Sequence, residues 1–130
     1  MSKGNHITIL SNLDISACLA KTTRQYLVGN LKRPQPLRAI PDDHIEIGIS
    51  ESKGEDSVDL KHFHPIVTEY QYVLEGTLDL KELDAGIVHH LVKGDFFIIY
   101  PNTKYQGVLH PHSKVLFIKY PGMNDKTLIQ

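Results

Sequence analysis

A single cysteine, Cys18, stands among the 130 residues, so no intrachain disulfide can hold this chain together. Its surroundings, Ile15-Ser16-Ala17-Cys18-Leu19-Ala20, are apolar and suit a small buried residue better than a reactive thiol. Neither sign of charge is in excess: Lys+Arg number 14 against Asp+Glu 15, a net charge of −1. That balance excludes the basic footprint expected of a nucleic-acid or anionic-membrane binder. No apolar run approaches the ~20 residues needed to cross a bilayer. The N-terminus also lacks the charged-then-apolar pattern of a secretion signal, so a cytoplasmic location is expected. Low-complexity segments and internal repeats are absent. With 41% hydrophobic and 22% charged residues, the composition is that of an ordinary globular protein, and the length fits one domain with a real core.

What the chain does have is histidine, eight in all. His62-Phe63-His64 is followed by Glu69 and then Gly76. Residues i and i+2 of a strand point to the same face, about 6–7 Å apart at the backbone. Both imidazoles could then reach one ion. An unbroken strand would turn Glu69 to the opposite face. Pro65 allows a bend that returns it, giving two histidines and one carboxylate, a ligand set associated with Fe(II), Mn or Zn. The alternative is plain: histidines on an exposed strand are often only solvated.

The remaining pattern is mostly β. Ile7 to Leu10 reads as a short strand, and residues 14–20 as one or two helical turns opened by Asp14 or Ser16. Gln25 to Val28 is strand-like, and Pro34-Gln35-Pro36 breaks regular structure. From Ile45 the strands come in quick succession: 45–50, 68–74, 77–83, 87–92, 96–100, 105–109 and 115–119. Glu75-Gly76, Asp84-Ala85-Gly86 and Lys93-Gly94-Asp95 supply the turns between them. This spacing implies a sandwich or barrel. The unbroken apolar run Phe96 to Ile99 implies a strand covered on both faces. Tyr70 and Tyr72 fall on the face opposite Glu69, Gln71 and Val73, turned toward an edge element or a subunit contact.

These residues resemble the cupin family. The first cupin motif, Gly-…-His-x-His-x(3,4)-Glu-x6-Gly, is matched by Gly54, His62, His64, Glu69 and Gly76, with a longer gap after Gly54. The second motif starts at Gly94-Asp95, and Pro101 follows one residue late. Thr103 stands where the family has Gly, Gln106 where it has its last metal histidine, and His110 where it often has Asn. The resemblance implies an all-β fold, a double-stranded β-helix or jelly-roll cupin barrel with a short N-terminal helical segment. Within 1–130 it implies an arm over 1–44, a barrel core over 45–120 and a tail over 121–130.

The resemblance further implies a divalent metal (Fe, Mn, Zn or Ni) on His62, His64 and Glu69. Gln106 would be a fourth ligand or a hydrogen-bonding neighbour. His110 would be a rim acid–base group or part of an exposed loop; along one strand it lies about 13 Å from Gln106, too far for the same ion. The expected function is that of a metal-binding small cupin acting on a small polar, carbohydrate-like metabolite. Its chemistry would be that of an isomerase, epimerase or dioxygenase, with the metal as Lewis acid. A non-catalytic sugar- or metabolite-binding cupin is the alternative, and a storage role suits a lone barrel poorly. The N-terminal third, with Ile7 to Leu10 and Tyr26 to Val28, would serve a homodimer by covering a neighbour's sheet edge.

Overall fold

The computed structural model of the chain describes residues 6–130. A helix, α1 (Asn12–Leu19), precedes the strands β1 (Arg24–Val28), β2 (Glu46–Glu51), β3 (Ser57–Val58), β4 (His62–Phe63), β5 (Thr68–Glu75) and β6 (Thr77–Glu82). Then follow β7 (Ile87–Val92), β8 (Phe96–Ile99), β9 (Tyr105–Leu109), β10 (Lys114–Tyr120) and β11 (Thr127–Leu128). They form two antiparallel sheets, one ordered β1-β2-β10-β5-β8 and the other β11-β4-β9-β6-β7, with β3 also paired to β9. This is the double-stranded β-helix arrangement. The expected barrel is not closed: no described strand pair joins the two sheets, which face each other as an open jelly roll.

Alternation along each strand explains the layers. On β10, Val115, Phe117 and Lys119 are buried while Leu116 and Ile118 are half-buried on the other side. On β5, Glu69 and Val73 point inward while Tyr72 is exposed. Leu78, Leu109 and Val115 form one apolar cluster between the sheets, and Leu80, Ile99 and Tyr105 another; Leu91 and Phe97 pack on both. The cavity lies against these clusters, with Leu78, Leu80, Leu109 and Val115 on its apolar side and His62, His64 and Glu69 on its polar side. Gly76 and Gly48 are both required by space. A Cβ on Gly76 would meet Ser113 Oγ at 2.0 Å, and φ is +74°. A Cβ on Gly48 would meet Phe117 Cζ at 2.3 Å, so Gly48 is what lets the Phe117 ring lie against β2.

Three sequence expectations change. Ile7 to Leu10 forms no strand, and Ile7 and Ile9 are exposed, because no strand edge lies alongside to pair with them. The helix starts earlier than residue 14: Ser11 caps it, its hydroxyl accepting the Asp14 amide at 3.1 Å. The run Phe96 to Ile99 is covered on one face only. It is the edge strand of its sheet, and Phe96 is 59% exposed. β1, from the N-terminal third, lies in one sheet, and β11, from the C-terminal segment, in the other. The short strands β3 and β11 escape a pattern search because two residues carry no periodicity.

Candidate functional site

His62 lies on β4, and His64 follows directly after it. Pro65 then turns the chain out of the second sheet, and it enters the first at Thr68. Glu69 therefore comes from the opposite wall. The parity argument for a single strand does not apply, and the carboxylate meets His64 across the gap between sheets. All three side chains are buried. The two imidazole centroids are 5.1 Å apart and nearly perpendicular.

Each imidazole is oriented through its Nδ1. That of His62 donates to the Leu60 carbonyl at 2.6 Å, and that of His64 to the Asp125 carboxylate at 2.6 Å. Both partners only accept, so Nδ1 is the donor in each ring and Nε2 is left for the cavity. Burial pushes the His62 imidazole below its usual range, which favours its neutral form. The other oxygen of Asp125 accepts the amides of Ile66 and Val67 at 2.8 and 2.9 Å. Burial raises the Asp125 carboxyl, but those amides and His64 outweigh it and hold the group below its ordinary range. One side chain thus fixes both the ring and the turn that carries it.

Glu69 uses its two oxygens differently. Oε2 accepts from Gln71 Nε2 at 2.8 Å and from the Tyr105 hydroxyl at 3.2 Å. Oε1 lies 3.6 Å from His64 Nε2 and 3.7 Å from Lys119 Nζ. Burial, then the Glu69 charge, raise the Tyr105 phenol above its ordinary pKa, so it remains a proton donor. The cavity around these groups measures about 250 Å³ and is also lined by Arg24, Asp59 and Lys126.

The sequence-expected residues divide. His62, His64 and Glu69 come together; Gln106 and His110 do not join them. Tyr105, Gly107 and Leu109 are the β9 residues that line the cavity. Gln106 is on the other face, its amide donating to the Asp59 carbonyl at 3.0 Å. The late Pro101 is the physical reason, since a slip of one residue exchanges the faces of a strand. Tyr105 takes the inward place, directly across from His62. His110 also lies on the outer face. Its Nδ1 is 3.0 Å from Asp56, its Nε2 is 3.0 Å from Asp79, and Asp79 meets His90 at 2.6 Å. A rim acid–base role for His110 is replaced by a surface ion-pair cluster.

Tyr105, Lys119, Arg24 and Asp125 were not expected from the sequence. Lys119 had a readable signal: it shares the inward face of Val115 and Phe117, where a cation is out of place. Asp125 had none, because it acts from an irregular tail.

The donor chemistry fits a divalent ion: two oriented Nε2 lone pairs and one carboxylate oxygen without a hydrogen-bond donor of its own. Neighbouring ligands of an ion bonded at ~2.1 Å sit roughly 3.0–3.4 Å apart, near the 3.6 Å between His64 and Glu69. As placed, however, no three His, Cys, Asp or Glu among the described residues enclose an ion.

No family model and no curated protein matches the sequence. Solved structures do match by shape. A double-stranded β-helix protein from Klebsiella pneumoniae aligns with a TM-score of 0.58 and 21% identity, over 68% of this chain and 77% of that one. The polyketide cyclase RemF from Streptomyces resistomycificus aligns with a TM-score of 0.57 and 20% identity, over 68% and 63%. An RmlC-like cupin from Desulfovibrio desulfuricans aligns with a TM-score of 0.54 and 20% identity, over 63% and 76%. The fold is thus the double-stranded β-helix. More narrowly, it is the fold of the small cupins. Among the described residues, no helix is long and apolar enough to cross a membrane.

Proposed function

We propose that the cavity binds a small polar metabolite on a divalent ion held by His62, His64 and Glu69. The observation that carries this reading is the pair of anchored imidazoles. Each has Nδ1 tied back to an acceptor, which leaves Nε2 as the metal-binding nitrogen beside a buried carboxylate. When bound, the ion supplies Lewis-acid polarisation of substrate oxygens, the chemistry of an isomerase, epimerase or dioxygenase. The chain's own groups do the rest. Glu69 is the anionic donor, Gln71 and Tyr105 hold its far oxygen, and Asp125 keeps the His64 ring in place. Tyr105, a buried phenol held in its protonated form, donates to the far oxygen of Glu69 at 3.2 Å and is a hydrogen-bond donor within the cavity. That a similarly folded protein is a polyketide cyclase is consistent with an enzyme. We propose further that the protein works as a homodimer.

The test is calorimetric titration of Mn²⁺, Fe²⁺, Zn²⁺ and Ni²⁺ into chelator-treated protein. One site per chain, lost in His62→Ala and His64→Ala, supports the reading; no saturable binding of any of the four ends it. A second reading has its own observation. Lys119 Nζ stands 3.7 Å from Glu69 Oε1, where its charge partly replaces that of a metal. On that reading the protein is a metal-free cupin that binds a sugar or related metabolite without turnover.

A further inference from the structure

Three cations line the cavity, and they are not balanced alike. Lys126 is paired with Asp59 at 2.8 Å. Lys119 is 3.7 Å from Glu69, beyond hydrogen-bond reach, and its hydrogen bond goes to the Tyr26 hydroxyl at 3.1 Å. An ammonium has three donors. Lys119 is only 8% exposed, so little water reaches the others. Arg24 donates Nε to the Ser50 hydroxyl at 3.3 Å and makes no ion pair with a carboxylate among the described residues.

Arg24 and Lys119 share one aromatic platform. The Arg24 guanidinium carbon is 4.5 Å from the Phe117 ring centroid, and Lys119 Nζ is 5.6 Å from it. Gly48 makes room for that ring, since any side chain there would strike it. Like charges gathered on one ring repel each other, and both line the same cavity. Cation–π attraction to Phe117 and Tyr26 offsets part of that repulsion, and Glu69 at 3.7 Å offsets part of the Lys119 charge, while Arg24 has no carboxylate partner among the described residues. An anion entering the cavity would meet a planar fork from Arg24 and a point charge from Lys119, the two standard modes of binding carboxylate and phosphate.

We infer that Arg24 and Lys119 form an oxyanion subsite for the carboxylate or phosphate of the metabolite bound beside His62, His64 and Glu69. The inference rests on the cavity being the ligand site proposed above and adds the chemical class of its ligand: a small, hydroxylated, negatively charged molecule. The cavity of about 250 Å³ lies below the ~300–1,000 Å³ typical of sites for drug-sized ligands, so the molecule is short.

Glycerate, glycerol phosphate and glycerol share one hydroxylated frame and differ in carrying a carboxylate, a phosphate or no charge. Calorimetric titration of each into the intact protein tests the subsite. The expected result is at least tenfold tighter binding of one anion than of glycerol, and the tighter anion identifies the group. Arg24→Ala and Lys119→Met should each reduce that preference about tenfold, whereas Lys126→Ala should change it less than twofold. Arg24 is exposed, so its variant keeps the fold even if burial at position 119 makes the other fragile. No preference for either anion in the wild type, or an undiminished preference in Arg24→Ala, overturns the subsite. Mn²⁺ titration of the same proteins separates the two claims. Metal binding without anion preference removes the subsite alone, and anion preference without metal binding removes the metal alone.

Discussion

His64 and Asp125 are joined by a 2.6 Å hydrogen bond between side chains 61 residues apart, and Asp125 also holds the amides of the turn after His64. The tail of the chain thus orients a ring of the cavity. Partners of this kind on a metal-binding histidine typically contribute 10–100-fold in metal affinity. We expect Asp125→Ala to weaken Mn²⁺ or Zn²⁺ binding by about that factor, measured by competition with a chelating dye. Unchanged affinity would show that the His64 ring is held without it.

Gln106 provides a sharp contrast with motif alignment. Its amide is on the outer face of β9, bonded to the Asp59 carbonyl. Gln106→Ala should leave metal affinity within twofold of wild type, and Gln106→His should not raise it. A marked gain in Gln106→His would mean that position 106 faces the cavity.

The outer face of the first sheet carries two apolar rows across three strands. Leu116, Tyr72 and Phe96 are in register in one, and Ile118, Tyr70 and Ile98 in the other. Tyr72 is 41% exposed and Phe96 59%. A second copy is the natural cover for such a face. Light scattering at micromolar concentration should give a dimer mass, and the double change Tyr72→Glu with Phe96→Glu should give a monomer. A monomeric wild type would contradict this.

The surface cluster of Asp56, His110, Asp79 and His90 gives a pH dependence with a definite sign. Bonds to Asp56, then Asp79, hold the His110 imidazole above its usual range. The bond from His90, against a smaller effect of burial, holds the Asp79 carboxyl below its range. A raised imidazole stabilises fully below its unfolded value of about 6.5, and this is lost as pH rises through the folded value. A depressed carboxyl stabilises above about 3.9, and this is lost as pH falls through its folded value. The cluster therefore contributes most from about pH 4 to 6.5. Such exposed pairs are worth under ~1 kcal/mol each. Urea unfolding of wild type and His110→Gln should differ more at pH 5.5 than at pH 8; an equal difference at both would remove the cluster as its source.

Much of the fold is legible in the sequence, because alternation and turn glycines are local signals. Strands such as β5, β6, β7 and β9 lie where the pattern puts them. The pairing of His62 with His64 is legible for the same reason, as both belong to one short segment. What is not legible depends on the path between segments. Glu69 reaches the histidines from the other sheet, so no count of residues from His64 could have shown its face. Tyr105 and Gln106 exchange places through a single-residue slip after Pro101. Asp125 is distant in sequence and lies in no periodic element, and its role exists only once the tail has folded back beside β4.

The most direct measurement is the metal content of the untagged protein purified without added metal, set beside that of Glu69→Ala. Glu69 is the carboxylate on the Nε2 side of His64, and its removal leaves the charge of an ion uncompensated. We expect close to one divalent ion per chain in the wild type and almost none in the variant, with the circular dichroism of both unchanged. A metal-free wild type, or a variant that retains its metal, would contradict ligation by His62, His64 and Glu69 and leave Lys119 as the partner of that carboxylate.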